Sequence, residues 1–101
     1  MVFAVGKMDN MLKKIPVINQ TQASRELKEG SILAIDCSDS SYRLLNSTGS
    51  FLWKHIDGKR SVEELLAKLI SEFSVDKETA IRDIQHFLDT MINKEMLLWQ
   101  N

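Results

Sequence analysis

The side chains of this sequence that could carry out chemistry are few and lie far apart. His55 and His86 stand in different segments, with no Cys-x-x-Cys motif and no second His four residues away, so no zinc site is predicted. Cys37 lies in a polar stretch without a neighbouring His, which makes it a poor candidate nucleophile. For these three residues an ordinary surface or core-edge role is favoured over a catalytic one.

The adjacent carboxylates Glu63 and Glu64 could act as an acid–base pair, but helix capping explains both. Ser61 followed three residues later by Glu64 is a capping box, and Glu63 then lies in a solvated first turn. The sequence has no P-loop, and its four glycines are too scattered for a dinucleotide-binding fingerprint. We therefore predict a protein that is not an enzyme and has no cofactor and no metal.

Composition and charge exclude several classes of protein. The 101 residues include 13 Lys and Arg against 14 Asp and Glu, which does not favour a general binder of polyanions. No apolar run approaches the ~20 residues of a membrane span, and no long apolar segment typical of a signal peptide follows the first residue. The single cysteine cannot form an internal disulfide, so the expected location is a reducing cytoplasm, without a membrane partner.

Hydrophobic periodicity divides the chain into an arm, a strand region and a helical region. Residues 1–21 show no sustained period and are predicted to be an N-terminal arm, flexible or weakly ordered, with a short extended piece at residues 17–18. Three short runs follow, separated by turn clusters, which is typical of an antiparallel meander. The predicted strands are residues 23–27, 32–35 and 42–45.

The second half of the sequence has the period of amphipathic helices. Three helices are predicted, with N-terminal caps at Asn46 or Ser47, at Ser61 and at Asp76. Residues 96–99 form a last apolar segment that is expected to pack back on the body. Three strands followed by three helices predict an α+β domain over residues 22–101, in a winged helix-turn-helix-like arrangement.

Winged helices often bind DNA, and the charge of the third predicted helix bears on that alternative. Residues 76–95 carry three basic and five acidic side chains, a net charge of −2. Such a helix repels the phosphate backbone that it would have to approach. No nucleic-acid partner is expected, although a winged-helix DNA-binding module stays open as an alternative function.

The strand at residues 42–45 is predicted to be the less protected edge of the meander. The first strand contains Arg25 and Glu26 and is followed by Lys28, whereas the third contains Arg43 and no proline. Such an edge can capture an extended peptide by β-augmentation. An edge covered by the N-terminal arm or by a second copy is an equally good interpretation, so a dimerising structural module stays open, and the expected state is a monomer or a weak dimer.

Several of these segments resemble the PqqD family. The most specific are YRLLNSTG at residues 42–49, followed by Leu52-Trp53, and DGKRSVEE at residues 57–64. The segment SREL at residues 24–27, the strand at residues 32–36 and the closing pattern of residues 83–97 are also similar, so the resemblance covers residues 22–99. Within these blocks, Asn46 is interpreted as a helix cap, Gly49 as a close-packing point, Trp53 as a core aromatic residue and Gly58 as a left-handed turn residue.

The resemblance implies a recognition element for ribosomally synthesised and post-translationally modified peptides (RiPPs). Such a module binds the leader segment of a precursor peptide and presents it to a modifying enzyme, often a radical S-adenosylmethionine (SAM) protein. The leader joins the sheet beside the third strand and lies against the third helix. The implied peptide-binding residues are Ser41, Tyr42, Arg43, Leu44 and Leu45 on the strand and, from helical geometry, Arg82, Gln85, His86 and Asp89 on the helix.

The sequence departs from the family pattern in two places. The Thr-Gly…Trp form is closer to the broad PqqD-like group than to the members devoted to pyrroloquinoline quinone (PQQ), and residues 1–21 match no segment of the family. The expected pathway is therefore PQQ biosynthesis or the biosynthesis of another RiPP.

Overall fold

The protein, represented by a computed structural model, is described over residues 10–100. The elements in chain order are β1 (Pro16–Ile18), β2 (Gln22–Glu26), β3 (Ile32–Asp36), β4 (Ser41–Leu44), α1 (Ser47–His55), α2 (Val62–Phe73), α3 (Lys77–Asn93) and β5 (Leu97–Trp99).

The strands β2, β3 and β4 form an antiparallel sheet with β3 in the centre. Gly30 before β3 has a φ of +98°, a left-handed conformation that glycine adopts without strain. After β3, the carboxylates of Asp36 and Asp39 accept hydrogen bonds from backbone N–H groups two residues further on. The turn chemistry therefore produces the predicted meander, and three helices follow it, which confirms the predicted α+β, winged-helix-like fold.

The helices begin at the predicted caps. The side chain of Asn46 accepts a hydrogen bond of 2.8 Å from the Gly49 N–H at the start of α1. Ser61 and Glu64 form the reciprocal capping box of α2. The helix α2 ends at Phe73, and the C-cap residue Ser74 has a left-handed conformation with φ of +53°. Asp76 immediately precedes α3 but makes no side-chain cap hydrogen bond, so side-chain capping fixes the start of α1 and α2.

The hydrophobic core lies between the three helices and the inner face of the three-stranded sheet. Ile32 and Ala34 of β3 are buried, because alternate side chains of a strand point to the same face. Trp53 of α1 is 3% exposed, as its interpretation as a core residue requires. The large side chains that are fully buried include Leu52, Leu65, Leu69, Ile84, Leu88 and Leu97.

The described part of the predicted arm packs on the body. Strand β1 pairs antiparallel with β5, so the short extended piece expected near residues 17–18 is present. The N–H groups of Val62 and Glu63 donate to the carbonyl groups of Lys14 and Leu12, at 2.9 and 3.0 Å. Met11 is buried. The first nine residues of the predicted arm lie outside the described residues.

The same pairing accounts for the last apolar segment of the sequence. Leu97 of β5 is fully buried, which confirms that this segment packs back on the body. Over residues 10–100, no helix combines the length and apolar character that a membrane crossing requires. The same range contains no group of three His, Cys, Asp or Glu side chains placed to hold a metal ion.

Candidate functional site

Strand β4 is an edge of the sheet, and the register determines which of its backbone groups point outward. The Leu45 N–H donates to the Ile32 carbonyl at 2.9 Å, and the next pair is Leu44 opposite Leu33. Hydrogen-bonded and non-hydrogen-bonded pairs alternate along an antiparallel ladder. Leu44 and Tyr42 therefore direct their N–H and C=O groups away from β3, toward the space where an additional strand would pair.

The side chains of β4 leave this edge accessible. Tyr42 is 73% exposed and Leu44 is 60% exposed. Arg43 between them is the charged residue of the strand, and the strand contains no proline. Proteins commonly protect edge strands with charge, proline or a covering element. With a single charge in its strand, β4 is a good template for an incoming peptide.

Helix α3 forms the second wall of a groove beside β4. Arg82 and His86 are one helical turn apart, so they share a face of α3. The groove has a volume of about 550 Å³. Its lining residues are Arg43, Leu44, Leu45, Asn46, Thr48, Gly49, Arg82, Asp83, His86, Phe87, Thr90 and Met91.

The floor of the groove is apolar and closely packed. Phe87, Met91 and Leu45 contribute to it and are 7%, 3% and 5% exposed. A Cβ atom placed on Gly49 would lie 3.4 Å from the Phe87 ring and 3.2 Å from Asn46 Oδ1. The tight contact is the one with Asn46 Oδ1, so glycine at this position packs closely against the cap of α1, while the 3.4 Å distance to Phe87 is ordinary van der Waals contact.

Positively charged residues outnumber negatively charged ones in the groove. Two guanidinium groups, from Arg43 and Arg82, line it together with one carboxylate, from Asp83. A peptide that brings a carboxylate into this groove would gain a charge-assisted hydrogen bond with a guanidinium group. Backbone groups at one wall, an apolar floor and excess positive charge are together suited to binding an extended, partly acidic peptide.

The structure brings together part of the predicted peptide-binding set. Arg43, Leu44, Leu45, Arg82 and His86 line one groove, although the Leu45 side chain is buried. Ser41 and Tyr42 line, with Arg43, a neighbouring cavity of about 380 Å³.

Two helix residues of the predicted set lie elsewhere. Asp89 lines a separate cavity of about 740 Å³ with Lys14 and Trp99, and Gln85 is half-buried and does not line the groove. Helical geometry indicated the face of α3 but not where the N-terminal segment and β5 would meet it.

The sequence analysis did not identify seven of the lining residues as site residues. Phe87 and Met91 are core residues that follow Asp83 at intervals of four residues, and so belong to the same helical face. That spacing was the available signal for the floor. The missed residues are Asn46, Thr48, Gly49, Asp83, Phe87, Thr90 and Met91.

Comparison with known proteins gives one family and two similar structures. The profile of the family described as "Coenzyme PQQ synthesis protein D (PqqD)" matches residues 31–97. The chain is similar to TbiB1, solved in complex with the TbiA(beta) leader peptide, with 27% identity and a TM-score of 0.73, over 80% of this chain and 93% of TbiB1. A search of curated proteins gives no match.

The second structure is similar in fold. It is a lasso peptide synthetase B1 complexed with its leader peptide, with 20% identity and a TM-score of 0.72, over 82% of this chain and 96% of that one. The family profile spans β3, β4, the three helices and the start of β5, which are the elements that build the groove and its support. On the strength of that match, the chain belongs to the PqqD family.

Proposed function

We propose that this protein is a non-enzymatic peptide-binding module that captures the leader segment of a ribosomally made precursor and presents it to a modifying enzyme. The observation that carries the proposal is the free edge of β4 beside the groove under α3. The outward N–H and C=O groups of Tyr42 and Leu44 supply the hydrogen bonds of β-augmentation. Side chains of the leader that point inward would lie over the apolar floor.

The family and one similar structure support this function. TbiB1, at 27% identity, is a leader-peptide complex, and its match covers 80% of this chain. The lasso peptide synthetase B1, at 20% identity, supports the fold alone. A leader of the class that TbiB1 binds is therefore the first kind of peptide to test, alongside the leader of a PQQ precursor.

The partner enzyme is proposed on the family resemblance. A radical SAM protein is the partner that the resemblance implies, and the module itself would supply binding and position rather than chemistry. The nucleic-acid alternative predicts specific, saturable retention of DNA at low salt, which a gel-shift experiment measures. Light scattering at high micromolar concentration tests the expected monomer or weak dimer against the dimerising alternative.

The test of the proposed function is a titration of the isotope-labelled protein with the leader peptide of the precursor encoded nearest to it. We expect amide shifts concentrated on residues 41–46 and on the face of α3 that contains Arg82, His86 and Thr90. A peptide of the same composition in scrambled order is the control and should cause no saturable shifts. Shifts confined to β2 or to residues 10–18 would contradict the proposed site.

A further inference from the structure

The face of the sheet that points away from the helices is largely apolar. Ile32 and Ala34 point into the core, so Leu33 and Ile35 of β3 point to the opposite side. The register places side chains of β2 and β4 beside them on that side. This outer face consists of Ala23, Arg25, Leu33, Ile35, Tyr42 and Leu44.

An apolar outer face is unusual for an antiparallel sheet whose other face covers the core. Such sheets normally alternate apolar residues toward the core with polar residues toward water. Here Tyr42 and Leu44 are 73% and 60% exposed, and Leu33 and Ile35 are half-buried. This apolar surface adjoins the β4 edge at which the leader is proposed to pair, which makes it a candidate interaction site.

The outer face has a charge character that constrains its partner. Arg25 is the charged member of the six residues and lies on β2, at the margin opposite Tyr42 and Leu44. A complementary surface would be apolar and would carry a carboxylate opposite Arg25. Two copies of this chain packed face to face would each present Arg25 and no carboxylate from the outer face, so a second copy is a poorer match.

The outer face is too small to hold a protein partner tightly by itself. Three strands about 4.8 Å apart, with five residues of about 3.3 Å each, cover roughly 240 Å². A stable interface takes about 800 Å² from each partner. A leader strand added beside β4 would widen this face by about one third, to roughly 320 Å², and place every second leader side chain on it, next to Tyr42 and Leu44. The leader thus supplies part of the interface, and surface around the sheet must supply the rest.

We propose that the outer face, extended by the outward side chains of the bound leader, is the docking surface for the modifying enzyme. This inference rests on the proposed function and deepens it, because it assigns the two faces of one strand to two partners. The inward side chains of the leader contact the groove, whereas its outward side chains contact the enzyme. The enzyme then distinguishes the loaded protein from the empty one by the surface that the leader completes.

Thermodynamic reciprocity makes this arrangement measurable. If the leader increases the affinity of the protein for the enzyme, then the enzyme must increase the affinity of the protein for the leader by the same factor. Coupling between sites is typically on the order of 5–150-fold. We expect a factor in this range for the full chain, with the synthetic leader and the modifying enzyme encoded beside the precursor as probes.

The experiment measures two dissociation constants for the native protein and for outer-face variants. One is that of the leader alone, and the other is that of the enzyme with and without saturating leader. Arg25→Glu and Leu33→Lys should weaken enzyme binding by about tenfold or more while the leader affinity stays within about twofold. Lys28→Glu, which makes the same charge change in the exposed turn after β2, is the matched control and should leave both constants unchanged.

Each outcome bears on the inference. The inference is overturned if enzyme binding is independent of the leader, or if neither outer-face variant weakens it. In that case normal leader binding still leaves the proposed function intact. Failure of the native protein to bind any leader overturns both. If the leader-loaded protein dimerises without enzyme, and Leu33→Lys abolishes this dimer, the outer face belongs to a second copy. That outcome also overturns the inference. Arg25 is exposed, so Arg25→Glu keeps the test valid even if Leu33→Lys does not fold.

Discussion

Trp53 shows what single residues of the PqqD motif do in this protein. Its side chain is 3% exposed within α1, and its Nε1 has no hydrogen-bond partner among the described residues. The ring therefore contributes through packing rather than through a polar contact. Trp53→Ala should lower the free energy of unfolding by about 3–5 kcal/mol, because it removes a large buried side chain. Trp53→Phe keeps an aromatic ring and should cost less.

Urea denaturation of the two Trp53 variants measures this difference. The leader affinity of Trp53→Phe should match that of the native protein, since the residue is buried and does not line the groove. A loss below about 1 kcal/mol for Trp53→Ala would contradict the core assignment.

Asp57 is a second residue whose role follows from its local contacts. Hydrogen bonds from the backbone N–H groups of Arg60 and Lys59, together with the Arg60 guanidinium group at 2.9 Å, lower the pKa of Asp57 below its ordinary value of 3.8. A carboxylate whose pKa is lower in the folded state stabilises the protein above the unfolded pKa. This contribution is lost as the pH falls through the folded pKa.

The pH dependence of stability therefore tests the Asp57 turn. Asp57→Asn should be less stable than the native protein near neutral pH, and the difference should shrink as the pH falls below about 3.8. Urea unfolding at several pH values between about 7 and about 3 measures the gap. Glu29→Gln, in the exposed turn before β3, is the control and should show a smaller change. A gap that stays constant over this range would contradict the assignment.

At the scale of helices and strands, the sequence predicted the boundaries that local turns and helix caps define. The caps at Asn46 and Ser61 and the turns around Gly30 and Asp36 are local signals, and the structure confirms them. Strand β1 depends instead on β5, its partner at the far end of the described chain, which no local pattern reveals.

The candidate site could be predicted in part for the same reason. The edge character of β4 follows from its own residues, as does the shared face of Arg82 and His86. The floor formed by Phe87 and Met91 depends on how closely α1 approaches α3, which is a tertiary property. Asp89 lies toward the N-terminal segment instead, because β1 and β5 bring Lys14 and Trp99 to that end of α3.

The edge of β4 gives a prediction at this scale with an internal control. The Leu44 N–H points away from β3, so Leu44→Pro removes a donor from the free edge without removing a hydrogen bond of the sheet. The proline ring would also occupy the position of the incoming strand. The leader should lose at least about tenfold in affinity, while the protein stays folded.

Ser24→Pro on β2 is the matched control. The Cys37 N–H donates to the Thr21 carbonyl in the same register, so alternation directs the Ser24 N–H toward the opposite edge of the sheet. Both variants thus remove one outward N–H from an edge strand. Fluorescence anisotropy of a labelled leader should show normal binding for Ser24→Pro. Equal binding by the two variants, with both folded, would contradict capture at β4.

At the scale of the whole molecule, the N-terminal segment packs against the C-terminal end of the described chain. The pairing of β1 with β5 covers Leu97, which is fully buried, and Met11 lies in the same core. The sequence predicted a domain that begins at residue 22. These contacts favour a folding unit that begins earlier, because cutting at residue 22 would expose Leu97 and remove Met11.

Truncation distinguishes the two boundaries. Removal of residues 1–18 should lower the free energy of unfolding by about 3–6 kcal/mol, the value of two large apolar side chains taken from a core. Removal of residues 1–9 keeps every contact named here and is the control. Urea unfolding monitored by far-ultraviolet circular dichroism measures both truncations. An unchanged stability after removal of residues 1–18 would instead support a detachable arm. None of residues 10–18 lines the leader groove, which shares Thr90 alone with the cavity that contains Lys14, so a truncated protein that stays folded should still bind the leader.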